Sequence, residues 1–252
     1  MQKILYSIFL ISISLIVFFT IYLSSVGVET SKFNNIIINE IKKKDPSIQI
    51  SLNKIKIKFD IKKIQIYLST FEPQITYQGI TIPIKEINLY TKIISILKSR
   101  NEINQAIVSF QNFKFKDIQK LAIRIKPSNF KTYLLNNFND GEINKILIDV
   151  KLDKNLNIKD YKINGSVKKV NINVLNNLSI QDVSLNFITD KNLTLINSLN
   201  AKYKDISISN GSLTLKRDKQ IDIEGKFNSQ FNLNENEINK LIMKSKIKLL
   251  EK

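Results

Sequence analysis

Asp149, Asp153 and Asp160 fall within a dozen residues of one another, and a pair of carboxylates at such spacing could divide general-acid and general-base work between them. Little else in the chain supports catalysis. There is no cysteine and no histidine, which removes Ser-His-Asp, Cys-His and zinc-type sites as written, and with them the commonest general base. The six glycines form neither a phosphate-binding loop nor a dinucleotide fingerprint. The three aspartates themselves are spread along strand and turn patterns instead of converging in sequence. Asn164-Gly165-Ser166 and Asn192-Leu193-Thr194 match a glycosylation acceptor, but asparagine is so frequent that such triplets arise by chance. The expectation is a binding, conducting or structural protein, with no catalytic residue, no metal and no cofactor.

Charge is the second candidate for chemistry. The 39 basic residues against 22 acidic ones give a formal charge of +17, yet only Arg100, Arg124 and Arg217 are arginines. Nucleic-acid surfaces use arginine for bidentate and stacking contacts. Here lysines alternate with isoleucines, which places them on the wet faces of strands, and nucleic acid is not an expected partner. If the charge attracts anything, lipid headgroups are the natural anionic surface for a tethered chain.

The tether is residues 4–26, an uncharged apolar run without proline. As a helix it is roughly 34 Å long, against a hydrocarbon core of about 30 Å. It reads as a transmembrane signal-anchor after a three-residue cytoplasmic start, residues 1–3. A cleaved secretory signal is the alternative, because Ser24, Ser25 and Gly27 are small. Either way the rest of the chain is exported. Residues 27–46 are expected to hold a linker helix, capped at Thr30 or Ser31, with Phe33, Ile37 and Ile41 at helical spacing and Asp45-Pro46 as its stop.

From residue 47 the apolar period changes from 3.6 to 2. Ile48, Ile50 and Leu52 alternate with polar residues; Ile55, Ile57, Phe59 and Ile61 follow after a slip, then Ile64, Ile66 and Leu68 after another. Alternation rich in β-branched residues means strands with one apolar and one wet face, and each slip suggests a bulge or a turn. A helix is expected over residues 90–99, a strand over 103–115, and a second helix from Ser128 to Phe138; residues 117–125 fit either helix or strand. Beyond Gly141 the pattern is a meander, with Asn164-Gly165 as a bulge or turn, Asn176-Asn177 as a turn and Asn210-Gly211 as a hairpin. Residues 47–233 thus form one β-rich domain, and residues 234–252 an amphipathic helical tail. The fold class is mainly β with a few short helices: a transmembrane helix followed by a long antiparallel amphipathic meander, curled or grooved.

Two stretches carry a family resemblance: STFEPQITYQGITIPIKEINLYTKIISILKS, residues 69–99, and GEINKILIDVKLDKNLNIKDYKINGSVKKVNI, residues 141–172. With the exported anchor they resemble the AsmA-like envelope proteins, the group of AsmA, TamB and YhdP, which are similar in turn to chorein-type bridge proteins. Such proteins are often far longer. The resemblance implies an inner-membrane anchor through residues 4–26, a periplasmic bulk, and a curled sheet whose apolar inner face holds phospholipid acyl chains. The face would be carried by Ile55, Ile57, Phe59, Ile66, Leu68, Ile148, Val150, Leu185 and Phe187. A closed β core serving as an envelope assembly factor, with a protein partner and no lipid, is the alternative reading.

Overall fold

The structure, a computed structural model, describes residues 2–32, 34–92, 103–124, 127–175, 178–204, 206–218 and 220–230. Helix α1, Gln2–Ser25, ends where Gly27 takes a left-handed conformation (φ 76°) and donates its N–H to Tyr22 O at 3.1 Å. A Cβ there would meet Ile57 O at 2.8 Å, so only glycine lets the chain pass this close to the sheet. The chain then enters β1, Val28–Thr30, which pairs with β3, Ile55–Asp60, at Val28↔Ile57 and Thr30↔Ile55. The linker therefore contains an edge strand. Helix α2, Asn34–Lys44, follows; Phe33 lies outside the described residues, and Ile38 and Ile41 are the α2 side chains that pack inward.

Three further alternating segments leave the main path. Strands β2 (Ile48–Ser51), β5 (Gln74–Tyr77) and β6 (Ile80–Ile82) form a separate three-stranded sheet. Its β5–β6 turn puts both Gln78 (φ 48°) and Gly79 (φ 80°) in the left-handed region, as a tight two-residue hairpin needs.

The thirteen-stranded main sheet is antiparallel and runs β1-β3-β4-β7-β8-β11-β12-β13-β14-β15-β16, with β9 and β10 as short side pairings; it does not close into a barrel. Its remaining members are β4 (Gln65–Phe71), β7 (Ile84–Lys92), β8 (Ile103–Phe110), β9 (Phe113–Lys114), β10 (Phe138–Asn139), β11 (Glu142–Leu152), β12 (Ile158–Leu175), β13 (Leu178–Asp190), β14 (Leu193–Tyr203), β15 (Ile206–Arg217) and β16 (Ile221–Gln230). At about 4.8 Å per strand, the path from β1 to β16 covers roughly 48 Å.

Several expectations are corrected. Tyr90 and Thr91 are strand residues paired with β4 and β8, so no helix starts there; residues 93–102 lie outside the described residues. The strand expected to reach Phe115 stops earlier, because Phe115 opens helix α3, Phe115–Arg124, which settles the ambiguous stretch as helix. Asn210-Gly211 is not a hairpin. Both residues lie inside β15, where Asn210 (φ 51°) is a bulge. An asparagine in the left-handed region serves a bulge as well as a turn, and here β14 and β16 hold the strand on both sides. The Asn164-Gly165 pair makes no turn: it lies inside one continuous strand, β12, facing the bulge of β11 between Asn144 and Leu147, while Asn176-Asn177 lies outside the described residues, as does the tail from residue 231. Helix α4, Asn129–Asn137, forms where expected, with Ser128 as N-cap: its Oγ accepts from Lys131 N at 3.2 Å.

Candidate functional site: the apolar face of the main sheet

Cross-strand partners share a face, and alternate residues along a strand share it too, so the register sorts every side chain of the sheet. Ile57 lies opposite Leu68, and Leu68 opposite Leu89. Leu89 then leads to Ala106, Ala106 to Val150, and Val150 to Tyr161. The same face continues through Gly165↔Phe187, Phe187↔Ile196, Ile196↔Leu213 and Leu215↔Ile223. One mainly apolar face thus crosses the sheet from β3 to β16, with a polar patch where Thr189, Thr194 and Arg217 hydrogen-bond to one another. The opposite face carries Lys56, Lys58, Glu86, Asn88, Asp149, Lys151, Asp160, Lys162, Lys216 and Glu224, with a minority of apolar residues such as Ile107, Leu147, Ile188 and Leu195.

All nine residues singled out from the sequence fall on this single face. Ile55 is 1 % exposed and belongs to the packing. Ile57, Phe59, Ile66, Leu68, Ile148, Val150, Leu185 and Phe187 are half-buried. The sequence reading missed the rest of the surface: Leu89, Ala106, Tyr161, Ile163, Ile196, Leu213 and Leu215 lie on it as well. The alternation that identified the nine would also have found these, had the register been known.

Two clusters cover part of the face. In one, α2 and the small sheet bring Ile38, Ile41, Ile50 and Ile75 against Ile84, Ile87, Val108 and Phe110. In the other, α3 and α4 bring Phe115, Ile118 and Leu134 against Ile143, Ile146, Val167 and Val170. Both sit toward the same end of the strands, the end marked by Phe110 and Ile143. Toward the other end, Phe59, Ile66, Leu89, Val150, Tyr161, Ile163, Phe187, Ile196 and Leu213 belong to neither cluster. At the far edge, Ile221, Ile223 and Phe227 of β16 are 67, 65 and 62 % exposed.

A row of bulges crosses the sheet from β11 to β15. Lys145, Lys169, Asp182, Ser198 and Asn210, one on each strand from β11 to β15, all have φ between 51 and 54°. Each marks a shift in the ladder, and bulged strands bend and twist more strongly. Three of the bulge N–H groups donate to a side chain on the neighbouring strand: Lys169 to Ser184 Oγ at 3.0 Å, Asp182 to Asn171 Oδ1 at 3.1 Å and Asn210 to Asn200 Oδ1 at 3.3 Å. On the polar side a crevice of about 750 Å³ is lined by Lys114, Lys116, Lys168 and Lys169 together with Asp140 and Glu142.

The three aspartates that could have done acid–base chemistry each have a separate partner. Asp149 Oδ1 accepts from Gln105 Nε2 at 2.6 Å, and Asp160 pairs with Lys151 at 3.2 Å. Asp153 closes its own turn, where the backbone N–H groups of Asn157 and Asn155 each donate at 2.8 Å and hold its pKa below the usual carboxylate value. Tyr90 is 7 % exposed on the polar face, stacked on Tyr67 at 4.9 Å with Lys63 Nζ 4.0 Å above its ring. Burial, then the nearby Asp60 carboxylate, pushes its pKa up to about 12. Among the described residues no group of three or more metal-ligating side chains is arranged to hold an ion.

Residues Lys3–Ser25 make a helix long and apolar enough to cross a membrane, and none of that stretch is buried in the protein. No protein-family model, no curated protein and no solved structure matches this chain.

Proposed function

We propose that this chain is a membrane-anchored protein of AsmA-like type that holds or transfers phospholipid along the apolar face of its sheet. In this reading α1 spans the bacterial inner membrane, the sheet lies in the periplasm, acyl chains rest on the apolar face and headgroups stay wet. The role is non-enzymatic. One observation carries it: a single, mainly apolar face runs from β3 to β16, while α2, α3, α4 and the small sheet pack against only one end of it. Each acyl CH₂ taken out of water there is worth about 0.8 kcal/mol, so a few carbons per strand hold a lipid firmly. Eight of the nine residues, Ile57 to Phe187 without Ile55, line the lipid.

The test is native mass spectrometry of the full chain, extracted in mild detergent from a phospholipid membrane. Stoichiometric phospholipid that disappears in a folded Ile57→Asp, Ile148→Asp, Leu185→Asp triple variant supports the reading. A lipid-free protein, or lipid retained by the triple variant, overturns it. A second reading, an envelope assembly factor with a protein partner, is favoured by one feature: the β16 edge with its exposed Ile221, Ile223 and Phe227, which a partner strand could extend.

A further inference from the structure

We propose that the β3–β4 turn, Ile61-Lys62-Lys63-Ile64, enters the headgroup layer of the same membrane that α1 crosses, as a second contact beside the anchor. The inference rests on α1 spanning a bilayer and not on what the sheet carries. Its first support is position. Gly27 sits beside Ile57 and Lys58, and the turn begins three residues further along β3, about 10 Å away. Thr20, Leu23 and Ser24, spaced as one helix face, are half-buried while most of α1 is exposed, and α1 touches β3. The turn therefore flanks the last turns of the span.

The second support is composition. Ile61 is 53 % and Ile64 69 % exposed, and Ile64 has φ 52°. A turn facing water places Asn, Asp or Gly in that conformation; a β-branched residue is strained there. A strained, exposed isoleucine is an outlier that points to use. The other turns at this end of the sheet are more polar. Asp153 and Asp190 close them through backbone N–H groups, with Lys154, Asn155, Lys191 and Asn192 at their tips and one exposed apolar residue, Leu156 (φ 62°), against the two β-branched ones of the β3–β4 turn. Asp60 Oδ1 fixes the β3–β4 turn by accepting from Lys63 N at 3.1 Å, and Lys63 Nζ folds back to Gln105 Oε1 at 3.0 Å. The two isoleucines are left at the tip beside Lys62. Apolar tips flanked by lysine suit a bilayer interface, where the chains enter the acyl boundary and the ammonium groups meet lipid phosphates.

The chain has no cysteine, so single labels are unambiguous. Full-length Ile64→Cys, Gln78→Cys and Phe9→Cys, each carrying an environment-sensitive fluorophore, are reconstituted into vesicles of phosphatidylcholine and phosphatidylglycerol. Quenching is compared between aqueous iodide and headgroup-attached nitroxide lipid. The expected result is a several-fold loss of iodide quenching at position 64 relative to position 78, with strong nitroxide quenching at 64 alone of the two. Iodide access at 64 equal to that at 78, with Phe9→Cys shielded, overturns the turn contact and leaves the anchor standing. Iodide access at position 9 as well removes the anchor and the turn contact together.

Discussion

The backbone N–H of Asp182 donates to the Asn171 side-chain oxygen across the β12–β13 ladder, at 3.1 Å. Asp182 is the extra residue of its bulge, and Asn171 is the residue it faces. The same device recurs at Lys169 with Ser184 and at Asn210 with Asn200. Each of these three bulges turns one N–H out of the ladder, and a polar side chain on the neighbouring strand takes it up. Three of the five bulges, on β12, β13 and β15, are thus satisfied by a side chain of a neighbouring strand.

Asn171→Ala and Asn200→Ala should each cost about 1 kcal/mol, the net worth of one such hydrogen bond. Ser198, also at φ 54°, separates backbone from side-chain effects. Ser198→Gly should be near neutral, while Ser198→Val should cost about 1–2 kcal/mol for a branched residue in the left-handed region. Urea unfolding midpoints measure all four. Equal midpoints for the Gly and Val variants would contradict the bulge conformation.

Gly165 is a packing position. An added Cβ would collide with Ile146 Cδ1 and come within 2.8 Å of Phe187 Cζ, whereas at Gly225 the nearest atom is Leu213 Cδ1 at 3.6 Å. Gly165→Ala should destabilise by about 1–3 kcal/mol through overpacking. Gly225→Ala should be neutral or slightly stabilising, because it removes unfolded-state freedom. Thermal melts of the pair check the difference in sign.

The faces alternate from Leu147 to Lys151 of β11, so a photo-crosslinker reads them one position apart there. At Val150 it should capture phospholipid in a membrane-extracted sample, and at Lys151 it should not. Mass spectrometry of the crosslinked chain decides. Equal capture at both positions would count against lipid on the apolar face.

Tyr90 gives a pH dependence with a definite sign. Its folded-state pKa is raised to about 12 from an ordinary 10.0, so the neutral form is favoured by folding. The contribution is complete below pH 10 and is lost as pH climbs from there toward 12. Ultraviolet titration of tyrosinate should show Tyr67 and Tyr90 ionising late, both raised chiefly by burial, and the later of the two should be absent in Tyr90→Phe. Tyr90→Phe should also flatten the fall in stability above pH 10.

Much of the fold was legible in the local pattern. The switch from period 3.6 to period 2 after Pro46 marked the β domain, and Ser128 marked the start of α4. Within each strand the apolar positions share a side because alternation is a property of the strand itself, and the register joins those sides into one face. Asn210-Gly211 shows where local pattern fails. Left-handed asparagine followed by glycine fits a hairpin turn and a bulge equally well, and the choice belongs to the strands on either side. Tyr90 fails similarly: its strand pairing with Tyr67 and Gln105 outweighs a helical spacing of isoleucines beyond it.

The sequence by itself determined that a long apolar helix precedes alternating strands, and which side chains of each strand would face together. Those are consequences of composition and of a two-residue period. Only the tertiary structure decided that Ile48–Ser51 joins a separate small sheet, that a bulge recurs on each strand from β11 to β15, and that α2, α3 and α4 gather over one end of the apolar face. Each depends on partners distant in sequence. A strand's period fixes which way a side chain points, but what it meets there is fixed by the register and by whatever packs above it.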